Sequence, residues 1–250
     1  MTCSWLVDIP FAHRGLHGPV SGAAENSLSA FRAANARHHG VEIDVLLSRD
    51  NRPVVFHDMA LGRMTGRAGE LQDFTADELS HFPLGDTTDH PMTLGQILDN
   101  ISPDYPVLIE IKADQRRPAD IAEATFEAIQ GYSGPKAVMS FDPGIVRWFQ
   151  RQAPDMPRGL VATRDNDGSL PDKYFDPAEQ RRLVDSLSVD FIAYDIVGLP
   201  NEATEYCREK NIPVLTWTIR TEEQHRKAAQ YCDNIIYESM NGIMNGIPGE

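Results

Sequence analysis

Strand-forming runs alternate with helical patterns along nearly the whole chain. Nine stretches rich in β-branched and aromatic residues read as strands, and helix-like segments separate most of them. The strand candidates are residues 9–13, 40–47, 53–57, 106–112, 136–141, 158–163, 190–195, 213–219 and 234–238. This alternation is typical of a parallel sheet covered by helices. We therefore predict an α/β fold, either a closed (β/α)8 TIM barrel or an open, doubly wound sheet.

Two of these candidates, 40–47 and 53–57, are too close in sequence for a helical crossover. The Asp-Asn pair at 50–51 tolerates positive φ, so we predict an antiparallel hairpin with a two-residue loop. This register places Asp44 opposite His57, with both side chains on one face. Counting the hairpin as one barrel strand with an extension leaves eight units, as a (β/α)8 barrel requires.

Residues 59–91 interrupt the alternation. They are rich in Gly, Thr and Asp and contain one short helical pattern at 75–79. Because the segment is longer than a usual barrel loop, we predict a small insertion after the second strand unit. We expect it to lie at the barrel mouth and to shape a substrate pocket; the alternative is a surface loop without a role. No composition shift marks a linker, so we expect one domain over residues 1–250.

Charged side chains occupy alternate positions in two of the strand candidates. They are Glu42 and Asp44 in one strand and Glu110 and Lys112 in another. The apolar residues between them suit the helix-facing side, so the charged groups should point into the barrel. Unpaired buried carboxylates cost several kcal/mol each. A divalent cation, Mg²⁺ or Ca²⁺, would neutralise them; the alternative is a buried ion-pair network through Lys112 and Arg14.

Two histidines lie at predicted strand ends, where barrel enzymes place catalytic residues. His13 ends the first strand, and Gly15 then lets the chain turn sharply. His57 reaches the same rim through the hairpin. Two histidines beside a metal suit general acid–base catalysis. Arg14 and Lys112 supply positive charge of the kind that binds phosphate.

The bulk properties of the chain exclude several classes of partner. Its 250 residues carry a formal net charge of −14, which argues against nonspecific binding to nucleic acid or to an anionic membrane. No apolar run approaches the roughly 18 residues of a membrane span, so we expect no stable membrane insertion. The three cysteines form no disulfide framework, and the first residues lack a signal-peptide pattern. We expect a cytoplasmic protein.

The ordered set of motifs resembles the glycerophosphodiester phosphodiesterase family. The motifs are HRG at 13–15, ENS at 25–27, EIDV at 42–45, VVFHD at 54–58, the LGRMTG…GELQDFTADEL insertion at 61–79, IEIK at 109–112 and LTWT at 215–218. Each motif alone is weak, whereas their order and spacing along nearly the whole chain are specific. The resemblance implies a (β/α)8 barrel and the metal-dependent hydrolysis of glycerophosphodiesters to glycerol 3-phosphate and an alcohol.

The same resemblance implies roles for eight residues. The metal ligands would be Glu42, Asp44 and Glu110, the acid–base pair His13 and His57, the phosphate contacts Arg14 and Lys112, and the glycerol-pocket residue Trp217. It also implies a two-step reaction, in which a neighbouring hydroxyl of the substrate attacks phosphorus before water does. The implied partner is a small-molecule glycerophosphodiester.

Two segments depart from the family pattern. The family usually has Pro-Glu-Asn-Thr where this chain has Ala-Glu-Asn-Ser at 24–27. Glu25 is either an acid that orders the site near the metal or His13, or a helix-start acid favoured by the macrodipole. In the last strand the family tends to have Thr-Asp followed by proline, whereas this chain has Tyr237 and Glu238. We expect this change to alter the closing edge of the pocket and to leave the metal and both histidines untouched.

Three alternatives to this function stay open. A lysophospholipid-type phosphodiesterase would need an apolar groove near Trp217 and the insertion. A barrel enzyme could use Mg²⁺ for enolate chemistry, although two opposed histidines suit that reaction less. A non-catalytic metal- or anion-binding barrel would have no need for the full set of histidines and acids.

Overall fold

The computed structural model describes residues 3–112, 117–166, 168 and 170–238. These residues contain nine β-strands and nine α-helices. The strands are β1 (Phe11–Ala12), β2 (Gly40–Leu47), β3 (Pro53–Val55), β4 (Val107–Ile111), β5 (Lys136–Ser140), β6 (Arg158–Ala162), β7 (Phe191–Asp195), β8 (Val214–Ile219) and β9 (Asn234–Tyr237). The helices are α1 (Leu28–Asn35), α2 (Gly62–Thr65), α3 (Ala76–Leu79), α4 (Leu94–Leu98), α5 (Pro118–Ile129), α6 (Pro143–Gln152), α7 (Pro177–Leu187), α8 (Glu202–Glu209) and α9 (Glu222–Tyr231).

Eight of the strands in the described ranges are parallel and close into a barrel. Their order is β1-β2-β4-β5-β6-β7-β8-β9, and β9 returns to β1. Strand β3 pairs antiparallel with the carboxyl half of β2 and stands outside the barrel. The predicted (β/α)8 TIM barrel is confirmed, and the open-sheet alternative is excluded. The hairpin counts as one barrel strand with an extension, as expected.

The register of this hairpin differs from the prediction by one residue. Val45 pairs with Val55. The partner of Asp44 is therefore Phe56, whose backbone N–H donates to the Asp44 carbonyl oxygen at 3.1 Å. The predicted pairing of Asp44 with His57 is wrong.

The cause of the shifted register is the turn. The backbone N–H of Ser48 donates to the carbonyl oxygen of Arg52 at 3.0 Å, which leaves three loop residues instead of two. Asn51 adopts φ 61°, the left-handed position that closes a three-residue hairpin loop. Since β3 ends before His57, the chain has left the ladder there, and the His57 side chain still reaches the barrel mouth.

Apolar side chains fill two layers of the barrel. On β2, Val41, Ile43 and Val45 pack against the surrounding helices, as their alternation predicted. The barrel interior has its own apolar cluster. It consists of Leu6, Phe11, Leu108, Ala137, Met139, Val161, Phe191, Ala193, Leu215 and Ile236. Gly159 leaves room for the Phe191 ring, which a Cβ at position 159 would meet at 2.4 Å. This interior packing leaves the charged groups at the carboxyl ends of the strands.

The segment predicted as an insertion packs on the hairpin. It supplies α2, α3 and six of the ten apolar residues of a separate small core, and the other four precede the segment in the chain. That core consists of Ala24, Leu46, Val54, Phe56, Leu61, Leu71, Ala76, Leu79, Phe82 and Leu84. Helix α3 follows the predicted short helical pattern, with Thr75 as its cap. No helix in the described ranges has both the length and the apolar character needed to cross a membrane.

Candidate active site

A cavity of about 560 Å³ opens at the carboxyl ends of the barrel strands. Seven of the eight residues that the sequence singled out line it. They are His13, Arg14, Glu42, His57, Glu110, Lys112 and Trp217. The eighth, Asp44, is fully buried and its carboxylate lies within 4.8 Å of those of Glu42 and Glu110. The fold therefore brings all eight residues to one place.

Among the described residues, three buried carboxylates could hold a metal ion here. One ligand oxygen from each of Glu42, Asp44 and Glu110 lies within 4.8 Å of the other two. Glu42 Oε2 accepts a hydrogen bond from the backbone N–H of Arg14 at 3.0 Å. Glu42 Oε1 has no hydrogen-bond partner in the described part of the chain, although it is buried. Three hard oxygen donors, one of them unpaired, fit a divalent cation such as Mg²⁺ or Ca²⁺.

The alternative of a buried ion-pair network is present but incomplete. Lys112 Nζ lies 2.7 Å from Asp44 Oδ1, and Arg14 Nε lies 3.2 Å from Asp44 Oδ2. Burial opposes ionisation of Asp44, but Lys112 and Arg14 hold its pKa well below the usual range. Glu42 behaves oppositely, because burial and the charges of Asp44 and Glu110 raise its pKa well above the usual range. The ion pairs neutralise Asp44 and leave Glu42 without a lysine or arginine partner among the described residues.

Asn26 belongs to the site, although the sequence pattern alone did not predict a role for it there. Its Nδ2 donates to Asp44 Oδ2 at 2.8 Å, and its Oδ1 accepts from the Asp44 backbone N–H at 3.1 Å. The helix cap is Ser27, whose hydroxyl accepts from the Ala30 N–H at 3.2 Å. The Asn26 side chain is therefore free to face the site. Its φ of 54° suits asparagine, which tolerates the left-handed region. The Glu-Asn-Ser motif at residues 25–27 was the sequence feature that could have indicated a role for Asn26.

His57 is held by a carboxylate that follows it in sequence. Its Nδ1 lies 2.6 Å from Asp58 Oδ1, and Asp58 Oδ2 accepts a hydrogen bond from Arg63 Nε at 2.5 Å. A carboxylate at Nδ1 favours the tautomer that carries its proton there and leaves Nε2 as the basic atom. Burial, and then the charge of Lys112, lower the pKa of His57, so the neutral imidazole is favoured at neutral pH.

His13 is held by a carboxylate from the other end of the chain. Its Nδ1 lies 2.9 Å from Glu238 Oε1, and Arg220 binds both carboxylate oxygens at 2.7 Å. Burial opposes ionisation of Glu238, but His13 and Arg220 hold its pKa well below the usual range. The expectation that the altered last strand leaves both histidines untouched is therefore wrong. Tyr237 points the other way, and its hydroxyl lies 2.6 Å from Nδ1 of His39.

Glu25 orders the site through two arginines. Its Oε1 lies 2.8 Å from Arg14 Nη1 and 2.7 Å from Arg63 Nη2. Burial alone would raise the pKa of Glu25, but Arg63 and Arg14 hold it below the usual range. Because Arg63 also binds Asp58, a continuous chain of ion pairs runs from Arg14 to the carboxylate beside His57. The segment predicted as an insertion, which supplies Arg63, is thus tied to the site.

Trp217 forms an apolar wall of the cavity. Its Nε1 donates to the Ala193 carbonyl oxygen at 3.0 Å, which fixes the ring. The ring packs edge-to-face on Phe141, with centroids 5.6 Å apart. Met139 lines the same cavity. The cavity therefore offers apolar surface for a carbon skeleton as well as charge for an anion.

The chain is similar to known proteins over nearly its whole length. Residues 13–241 match the sequence model of the glycerophosphoryl diester phosphodiesterase family. A glycerophosphodiester phosphodiesterase of Caldanaerobacter subterraneus subsp. tengcongensis is 26% identical over 245 residues, which cover 94% of this chain and 95% of that protein. A glycerophosphodiester phosphodiesterase of Bacillus altitudinis is 31% identical over 155 residues, 58% of this chain and 62% of that protein.

Solved structures share the fold. A phosphodiesterase of Oleispira antarctica, in complex with the product sn-glycerol-3-phosphate, has a TM-score of 0.80 and 22% identity, and the match covers 95% of each chain. The glycerophosphodiester phosphodiesterase of Thermotoga maritima has a TM-score of 0.74 and 26% identity, over 92% of this chain and 93% of that one. The chain described here therefore belongs to the glycerophosphoryl diester phosphodiesterase family and is an enzyme of that class.

Proposed function

We propose that this chain hydrolyses glycerophosphodiesters to glycerol 3-phosphate and an alcohol, with a divalent cation and two histidines. One observation carries the proposal. The cavity that Glu42 and Glu110 line also contains His13 and His57, and the Nδ1 of each imidazole lies against a separate carboxylate. This arrangement leaves two Nε2 atoms available to exchange protons with one bound substrate.

Glu42, Asp44 and Glu110 would hold the cation, either Mg²⁺ or Ca²⁺. The unpaired Glu42 Oε1 and the raised pKa of Glu42 support this assignment, since a bound cation removes both penalties. When bound, such a cation polarises a phosphoryl oxygen and lowers the pKa of a coordinated hydroxyl group. Arg14 and Lys112, which line the same cavity, would add fixed positive charge against the phosphate.

The two histidines would transfer protons in two steps. In the first, one histidine accepts the proton of a glycerol hydroxyl as its oxygen attacks phosphorus. The P–O bond to the alcohol breaks, and the other histidine donates a proton to the departing oxygen. In the second step the histidines exchange roles as water opens the resulting cyclic phosphate. Trp217, on the apolar wall, would contact the glycerol carbons.

The test is an assay of a panel of glycerophosphodiesters before and after chelation. We expect chelation to abolish turnover and Mg²⁺, Mn²⁺ or Ca²⁺ to restore it. His13→Asn and His57→Asn should each lower kcat by roughly 10²–10⁴-fold. The matched control is His81→Asn, because His81 is exposed and contacts the backbone of Asp77. Full activity after exhaustive chelation would contradict the requirement for a divalent cation. Wild-type kcat in either His13→Asn or His57→Asn would contradict the assignment of these two histidines as the acid–base pair.

Two exposed apolar side chains favour a second candidate, the hydrolysis of lysophospholipids. Met59 and Val197 line the cavity, and 40% and 71% of their surfaces are exposed. An acyl chain at the cavity mouth would cover them. If lysophospholipids are substrates, Met59→Ser with Val197→Ser should lower kcat/KM for lysophosphatidylcholine and leave glycerophosphocholine unaffected. Equal effects on both substrates, or no turnover of lysophosphatidylcholine, would exclude this candidate.

A further inference from the structure

The closing edge of the barrel carries a contact that joins the two ends of the described chain. Glu238 follows β9, and β9 pairs with β1, which precedes His13. The backbone of this edge is fixed, because His13 N–H donates to the Tyr237 carbonyl oxygen at 2.8 Å and Glu238 N–H donates to that of Ile219 at 3.1 Å. The Glu238 side chain therefore starts from a defined position beside the imidazole.

Arg220 fixes the plane of the Glu238 carboxylate. Its Nε donates to Oε2 and its Nη2 to Oε1, both at 2.7 Å. This is the bidentate geometry in which an arginine fork specifies the orientation of a carboxylate. Oε1 is also the atom 2.9 Å from His13 Nδ1. The Nδ1 atom of His13 therefore contacts a carboxylate oxygen whose position is fixed by Arg220.

We propose that Glu238 is a positioning residue for His13 and that Arg220 holds Glu238 in place. The inference rests on the acid–base role of His13 in the proposed function. A carboxylate has no proton to donate, so it selects the His13 tautomer with the proton on Nδ1. Nε2, which lies 4.0 Å from Glu42 Oε2, then keeps its lone pair at the metal side of the cavity. Without Glu238 the ring would populate both tautomers and rotate.

His57 supplies an independent parallel within the same cavity. Its Nδ1 contacts Asp58, and Arg63 binds the second oxygen of that carboxylate. Both imidazoles therefore have an arginine-held carboxylate at Nδ1, although the two supporting carboxylate–arginine pairs come from unrelated segments of the chain. The shared requirement is a defined tautomer at each of two groups that transfer protons.

Arg220 also lines the cavity and is half-exposed, so it could contact the phosphate directly. The two roles differ in their kinetic effect. A direct phosphate contact made in the ground state changes KM, whereas loss of His13 orientation changes kcat. The kinetic constants of an Arg220 variant therefore distinguish them.

The experiment is a double-mutant cycle between positions 238 and 13, measured with glycerophosphocholine and saturating Mg²⁺. We expect Glu238→Met to lower kcat by about tenfold or more, with KM within about threefold of wild type. Glu238→Gln should retain more activity, because an amide oxygen at the Oε1 position still accepts from both Nδ1 and Arg220. In the His13→Asn background, Glu238→Met should cause no further loss.

The matched control is Glu202→Met. This substitution breaks an exposed ion pair with Arg181 that lies outside the cavity and has a similar length, 2.9 Å against 2.7 Å for Arg220 and Glu238. It should keep wild-type kcat. If Glu238→Met does not fold, Arg220→Met replaces it in the cycle, since the Arg220 side chain is 53% exposed. A kcat loss that disappears in the His13→Asn background supports the inference; an equal loss in both backgrounds, or a change in KM alone, overturns it.

A spectroscopic readout separates positioning from general support of the fold. In histidine-ring ¹⁵N spectra, with His13 assigned from the His13→Asn variant, the neutral ring of the wild-type protein should carry its proton on Nδ1. Glu238→Met should show both tautomers, and an unchanged tautomer overturns the inference. If Glu238→Met has wild-type kcat while His13→Asn has a lowered kcat, only the positioning role of Glu238 is refuted. Wild-type kcat in His13→Asn refutes the proposed function itself, and the inference with it.

Discussion

Asn26 and Asp44 hold each other by a reciprocal pair of hydrogen bonds. The Asn26 amide donates to Asp44 Oδ2 at 2.8 Å, and the Asp44 backbone N–H donates to Asn26 Oδ1 at 3.1 Å. Arg14 and Lys112 contact the same carboxylate, but they carry charge. Asn26 is the neutral contact, and it also fixes the backbone. Asn26 therefore orients the Asp44 carboxylate without neutralising the negative charge that would attract a cation.

Replacing Asn26 should weaken cation binding more than it weakens the fold. We expect Asn26→Ala to lower Mn²⁺ affinity about 10–100-fold, and to lower the free energy of unfolding by roughly 1–3 kcal/mol. Isothermal titration calorimetry and urea unfolding measure the two effects. Asn26→Gly is the control for backbone strain, because glycine accepts the φ of 54°. Wild-type Mn²⁺ affinity in Asn26→Gly would contradict the orienting role of the side chain.

Glu25 should stabilise the protein in a pH-dependent manner. Arg63 and Arg14 lower its pKa in the folded state below the ordinary value of 4.5. A lowered folded pKa contributes stability that is fully present above pH 4.5 and is lost as pH falls through the folded pKa. The difference in unfolding free energy between wild type and Glu25→Gln should therefore be largest at neutral pH, roughly 1–3 kcal/mol. Urea unfolding over a pH series measures it; a difference independent of pH would refute the linkage.

Arg63 should support catalysis through Asp58, the carboxylate beside His57. We expect Arg63→Met to lower kcat by roughly tenfold, a part of the 10²–10⁴-fold that a general acid or base contributes. Stability should fall by less than in Glu25→Gln, for which we expect roughly 1–3 kcal/mol, because Arg14 still pairs with Glu25. Arg49→Met is the matched control, since Arg49 makes an exposed pair with Glu78 at 2.8 Å in the same region. Equal losses of kcat in both variants would instead indicate that each substitution disturbs the packing of residues 59–91 as a whole.

The barrel and most of the site were predictable because they depend on local patterns. Alternation along a strand determines which side chains share a face, whatever the tertiary structure. Glu42 and Asp44 therefore point inward as predicted, with Val41, Ile43 and Val45 against the helices. The resemblance to a known family then indicated which inward groups belong together.

The remaining features depend on contacts that no local pattern encodes. The length of the loop, two residues or three, determines the hairpin register, and an Asp-Asn pair is compatible with both lengths. The contact between Glu238 and His13 spans 225 positions and exists only because β9 closes on β1. The change in the last strand was visible in the sequence, but its consequence for His13 required the closed barrel.

The nucleophile can be identified from the substrate side. An internal glycerol hydroxyl is held beside phosphorus by the substrate itself, and such proximity contributes up to roughly 7–11 kcal/mol to lowering the barrier. A glycerophosphodiester whose neighbouring hydroxyl is removed or methylated should therefore bind with a similar inhibition constant and not turn over. Quenched-flow trapping with the intact substrate should reveal a cyclic glycerol phosphate. Because each histidine acts in both steps, this intermediate should accumulate in whichever of His13→Asn and His57→Asn slows the second step more than the first. Hydrolysis of the deoxy analogue at a rate near that of the parent would instead demonstrate direct attack by water. That result would leave the barrel, the carboxylates and both histidines in place, and would replace only the two-step route.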